Sequence, residues 1–148
     1  MIRRSASPVA LAAWCFYDWA NSAYPTVITT FVFATYFTQK VASNVVEGTS
    51  SWGYAMSTSA LVGALAAPVL GAIADHTGRR KPWLGVMTLL CILTTAGLWF
   101  VKPDPAYALL ALVLVACSNF LFENAGVFYN AMLPELAAKD HIGRVSGW

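Results

Sequence analysis

The chain has 148 residues, 58% of them hydrophobic and 11% charged, with a net charge of +2 and a mean hydropathy of +0.60. Soluble domains carry about 25% charged residues, so this composition excludes an ordinary soluble domain, and the small net charge offers nucleic acid little to bind. What remains is an all-α protein embedded in the lipid bilayer, crossing it several times.

A crossing takes about 20 apolar residues, and four blocks meet that length, at 10–38, 52–74, 83–101 and 106–132. The first follows Arg3 and Arg4. That pair with PVALAAWCFY has the look of a signal peptide, but the apolar run VITTFVFATYF continues at once, and Asp18 and Asn21 would fall in the signal's tail. A retained span is therefore expected. Inside it lies YDWANSAYPT, with an acid, an amide and a proline. An Asp at a helix centre costs about 2.5–3.5 kcal/mol on insertion, so it normally faces protein or a wet cavity. Trp14, Asp18, Asn21 and Pro25 follow i, i+4, i+7, i+11 and share one helical face. That face is expected to line a cavity, with Pro25 bending the helix.

The second span, 52–74, follows the polar break QKVASNVVEGTSS and sets Gly63, Ala67 and Gly71 four apart, where another helix can approach closely. It ends at Asp75, whose charge opposes the helix dipole and calls for a cation. Arg79 and Arg80, beyond the turn-forming Gly78, are the local candidates. After DHTGRRKP comes the third span, 83–101, with no charged residue. KPDP then introduces the fourth, 106–132, in which NFLFENAGVFYN repeats the first pattern. Asn119, Glu123, Gly126 and Asn130 again follow i, i+4, i+7, i+11. At about 1.5 Å per residue, Asp18 lies about 12 Å from position 10 and Glu123 about 14 Å from position 132. One shared cavity holding Asp18, Asn21, Asn119 and Glu123 is the expectation, with Asn130 on the same stripe. Polar residues also glue helices together, but two acids on matching stripes favour a substrate or proton site.

Arg3, Arg4, Arg79, Arg80, Lys81, Lys139 and Arg144 fall on one side of these spans, and Lys40 and Lys102 on the other. The positive-inside rule then places the N-terminus in the cytosol. Trp52, Tyr54, Trp83, Trp99 and Tyr107 lie near span ends, as an interfacial aromatic belt requires. The three cysteines, Cys15, Cys91 and Cys117, are unclustered and imply no disulfide framework. His76 and His141 lie in predicted loops without partners at metal spacing, so no metal and no cofactor is expected. No span contains His, and no nucleophile–base pair or HExxH appears, which removes an intramembrane enzyme and leaves no catalytic residue to name.

GAIADHTGRRK, residues 71–81, resembles the loop between the second and third helices of major facilitator superfamily transporters, G-x-x-x-D-x-x-G-R-R/K. YDWANSAY (17–24), VFYNAMLPELA (127–137) and GRVSGW (143–148) narrow the resemblance to the vacuole-effluxer-like branch, named for autophagy-related fungal amino-acid effluxers and including bacterial members. The resemblance implies a twelve-helix, two-domain bundle, of which residues 1–148 would form the N-terminal part, with the C-terminal transporter half as the missing partner. It also implies a first and fourth helix lining a central cavity, and a cytosolic gate at Gly71, Asp75, Gly78, Arg79 and Arg80.

A secondary transporter working by alternating access on a small polar solute is the expected function, with amino-acid efflux suggested by the fungal members and protons an option as coupling ion through Asp18 or Glu123. The membrane would be the bacterial inner membrane, or a vacuolar one in a fungus. The alternative is a non-transporting four-helix assembly or regulatory module, which a genuine stop codon after Trp148 would favour.

Overall fold

The computed structural model describes residues 8–78 and 80–136, all-helical with no strand among them. Three long helices carry the fold: α3 (Val45–Thr77), α4 (Arg80–Gly97) and α5 (Ala108–Leu136). Single-turn 3₁₀ helices at Leu98–Phe100 and Pro105–Tyr107 frame the link from α4 to α5. Before them run α1 (Pro8–Asn21) and the short α2 (Val32–Tyr36), joined by π-helical Pro25–Phe31 and followed by π-helical Phe37–Val41.

Three stretches, Val45–Ile73, Arg80–Phe100 and Pro105–Leu133, are helices long and apolar enough to cross a membrane. This corrects the expectation of four, because the span predicted at 10–38 is a chain of short pieces rather than one helix. Pro25 has no N–H to offer the Asn21 carbonyl. Hydroxyls on either side compete for backbone acceptors: Ser22 Oγ donates to Asp18 O at 2.9 Å, Thr26 Oγ1 to Ser22 O at 3.1 Å and Thr29 Oγ1 to Pro25 O at 2.9 Å. Such back-bonding bends helices, and the β-branched run from Thr26 to Thr30 adds its own stiffness at χ1. The backbone responds by slipping register, so that Val32 N–H bonds Val27 O and Ala42 N–H bonds Phe37 O, five residues back rather than four.

The second predicted span also starts earlier than expected, at Val45 rather than 52. Asn44 caps it, accepting from Glu47 N–H at 2.9 Å, and Glu47 places a negative charge in the positive first turn. The turn before the cap is tight: a Cβ on Gly48 would sit 2.6 Å from Ala42 Cβ. At the far end Gly78, at φ +62°, takes the left-handed position that terminates α3.

α5 is the central post. It packs against α3 on one side and α4 on the other, while α3 and α4 touch each other little. Phe37, Val41, Leu98, Val101, Ala111 and Val115 form one buried cluster at the end of the bundle where α5 begins. A second cluster of Met87, Ala125 and Phe128 lies toward the other end. Phe16, Leu61, Leu65, Leu93 and Leu109 point outward, as suits helices whose surroundings are as apolar as themselves.

Candidate functional site

The first segment meets the bundle through Trp14, Tyr17 and Tyr24; of the predicted stripe Trp14 takes part and Asn21 lines the adjoining cavity, while Asp18 is exposed. The Trp14 indole stacks on the Tyr129 ring at 4.4 Å and 8°. Its Nε1–H donates to Tyr129 O at 3.4 Å, and the Tyr129 hydroxyl donates to Trp14 O at 3.1 Å. One turn on, the hydroxyls of Tyr17 and Thr88 lie 2.8 Å apart. Further along, Tyr24 stacks on Phe122 at 4.6 Å and its hydroxyl lies 2.7 Å from Ser118 Oγ. Since Ser118 donates its own proton to Val115 O at 3.0 Å, Tyr24 is the donor in that pair.

The α5 face that receives these residues is Ser118, Phe122, Ala125 and Tyr129, spaced i, i+4, i+7, i+11. It lies one residue away from the predicted stripe of Asn119, Glu123, Gly126 and Asn130; on the first segment Tyr17 and Tyr24 stand one residue before Asp18 and Pro25, while Trp14 and Asn21 are common to both faces. One residue is about 100° of rotation, so both acids sit on the flanks of the α1–α5 contact.

Two cavities adjoin this contact. The larger, about 630 Å³, lies between the first segment and α4 and α5, where Asn21, Val27, Thr88, Cys91 and Ile92 line it. The smaller, about 370 Å³, lies between Pro25 and Thr29 of the first segment, Met56, Ser57 and Ala60 of α3, and Asn119 and Glu123 of α5. Tyr24 and Phe122 line both.

The predicted site residues are thus divided. Asn21 faces the larger cavity, and Asn119 and Glu123 meet in the smaller one. Asn119 is 5% exposed and donates from Nδ2 to Ser59 Oγ at 3.3 Å, while Ser59 donates on to Ala116 O at 2.8 Å. The amide is therefore fixed by a chain of donors, whereas Glu123 is exposed. Asp18 and Asn130 are exposed as well. Each acid lies within electrostatic range of a tyrosine, Asp18 of Tyr129 and Glu123 of Tyr24.

Of the gate residues, Gly78 supplies the turn and Arg80 Nη1 donates to Ala131 O at 2.7 Å, tying the start of α4 to α5. A Cβ on Gly71 would meet nothing within 4 Å, whereas one on Gly63 would lie 3.5 Å from Asn124 Nδ2, so the close approach is made at Gly63. Arg79 and the side chain of Asp75 lie outside the described residues, as does the tail containing GRVSGW.

Asn124 is a residue that spacing did not single out. It is 1% exposed, donates to Phe120 O at 2.8 Å and leaves Oδ1 without a partner. Its signal was present, an amide beside Glu123 on the face toward Gly63. Among the described residues no group of three His, Cys, Asp or Glu is placed to hold a metal ion.

Residues 35–146 match the family described as Vacuole effluxer Atg22 like. The chain is also similar to the uncharacterized MFS-type transporter YxiO of Bacillus subtilis (strain 168), with 34% identity over 137 residues, 90% of this chain and 32% of that protein. It spans about a third of the length of that relative. No solved structure matches the chain.

Proposed function

From the premise that the chain belongs to the vacuole effluxer Atg22-like family of the major facilitator superfamily, we propose that it forms the N-terminal membrane part of a secondary transporter for a small polar solute. The observation that carries this reading is the smaller pocket. It brings Glu123, Asn119 and Ser57 together beside the break in the first segment. An exposed carboxylate and a fixed amide give a polar solute one ionic and one hydrogen-bonding anchor. The adjoining backbone, already out of α-helical register, supplies a place to bend as access alternates between the two sides.

In this reading Asp18 and Asn130, exposed in this chain, face the remaining two thirds of a full-length protein, which would close the cavity over them. Amino acids are the first solutes to test, with efflux as the direction, and a proton carried on Asp18 or Glu123 as the coupling ion. The N-terminus and the loop around Gly78 are cytosolic, and Asp75 pairs with Arg79 or Arg80 across the gate.

The test is transport by the full-length protein in proteoliposomes, with a panel of amino acids and other small polar solutes. Glu123→Gln and Asn119→Ala each remove an anchor and are expected to lower transport on the order of tenfold to a hundredfold, with insertion retained. Normal transport in both variants would overturn the assignment of the pocket.

A further inference from the structure

The two cavities differ in character and are separated by one side chain on each helix. On one side lies the pocket of Asn119, Glu123 and Ser57; on the other lies the larger, mostly apolar cavity with Cys91 and Ile92. The wall between them is the Tyr24–Phe122 stack, since these two residues line both. Phe122 sits in the middle of the unbroken α5, so it is the fixed half. Tyr24 sits between two irregularities: α1 ends at Asn21, Ser22 is in a turn, Ala23 and Tyr24 are again helical, and Pro25 opens the π-helical stretch without an N–H to hold the preceding turn. Its closed position rests on the ring stack and on the one hydrogen bond to Ser118 Oγ.

We propose that Tyr24 is a door between the two cavities, which swings on the break before Pro25 and so sets the size of solute that the Glu123 pocket accepts. Closed, it confines a solute to the smaller volume. Open, it gives a solute anchored at Glu123 and Asn119 room to extend beside Cys91. Ser118 serves as the latch on both sides of the door, because its hydroxyl holds Tyr24 and its carbonyl accepts from the Cys91 thiol at 3.4 Å. This inference rests on the reading of the smaller pocket as a water-filled solute site.

Cys91 provides a measurement that does not depend on knowing the solute. In the full-length protein with every other cysteine replaced by serine, a permanently charged, water-soluble methanethiosulfonate reagent cannot cross lipid and meets Cys91 from the smaller pocket through the door. Labelling of the parent is expected to be slow. Tyr24→Phe keeps the stack but loses the Ser118 bond, and is expected to speed labelling about fivefold. Tyr24→Ala, which also loses the stack, is expected to speed it about tenfold or more. A membrane-permeant maleimide should label all three alike, and that agreement also verifies that the variants are folded.

A control separates the two ideas. Ser57→Cys, placed in the smaller pocket of a background lacking Cys91, should react with the charged reagent. If it does and Cys91 labelling is the same in parent, Tyr24→Phe and Tyr24→Ala, the door is overturned while the pocket stands, the outcome expected if a helix of the remaining protein fills the larger cavity. If Ser57→Cys is itself unreactive, the pocket is not water-filled and both readings fall.

Discussion

Trp14 and Tyr129 each bond the other's backbone carbonyl with a side-chain donor while their rings lie stacked 4.4 Å apart. The backbone of α1 approaches the other helices less closely than they approach each other, so α1 is held by the reach of its aromatic side chains. Away from water, where apolar burial no longer drives helices together, such specific contacts decide docking.

Removing one bond of this pair should therefore be measurable. Tyr129→Phe keeps the stack and is expected to cost about 1 kcal/mol, and Trp14→Phe to cost at least as much. A double-mutant cycle of Trp14→Ala and Tyr129→Ala, which removes the rings, should return a coupling of about 0.5–1.5 kcal/mol on unfolding in detergent. Additive effects would mean that the two rings dock independently.

The break in the first segment gives a second expectation. Pro25→Ala restores an N–H that can reach Asn21 O, extending α1 toward Val27. Because proline costs about 3 kcal/mol in a regular helix interior, the variant should be more stable than the parent, by up to that amount. If the break is the bending point, its transport should slow severalfold. An unchanged rate would assign the bend to the hydroxyls of Ser22, Thr26 and Thr29 instead.

Topology can be tested with single cysteines and an impermeant reagent. Arg79→Cys should label only from the cytosolic side and Val46→Cys, fully outward-facing at the start of α3 with 77% exposure, only from the opposite side. Gly48 is unsuitable as a probe, because its Cβ would collide with Ala42. The reverse pattern would invert the orientation.

Much of this architecture was legible in the composition and block structure of the chain, and the limits are instructive. The three long helices followed from apolar length alone. Their ends did not, because Asn44 and Glu47 extend α3 through a cap lying in a stretch read as a polar break. Spacing showed correctly that Asp18 and Asn21 share a helix with Trp14, but a stripe does not say which neighbour it meets. Assigning the inward face by the cost of a charge in lipid turned α5 by one residue, and on the first segment it chose Asp18 and Pro25 over Tyr17 and Tyr24. The contact is set instead by rings and hydroxyls, Trp14 and Tyr17 on one side and Ser118 and Tyr129 on the other. Pro25 announced a bend, whereas the slip into π register depends on several threonine hydroxyls acting at once. Asn124 was passed over because neither acid's stripe included it.

The dependence of α3 and α4 on α5 bears on how the chain is made. Both leave the ribosome before α5 exists, and they touch each other little. Each must therefore wait in the bilayer as a separately inserted rod, with Met87, Cys91 and Gly63 facing lipid rather than protein. Polar groups intended for α5, such as Ser59, spend that interval without their final acceptors. Emergence of residues 108–136 then completes several interfaces in one step, so assembly of these helices is gated by the synthesis of α5. Pausing translation just before that point should lengthen the exposure of the unfinished surface to quality-control proteases, and pausing just after it should not.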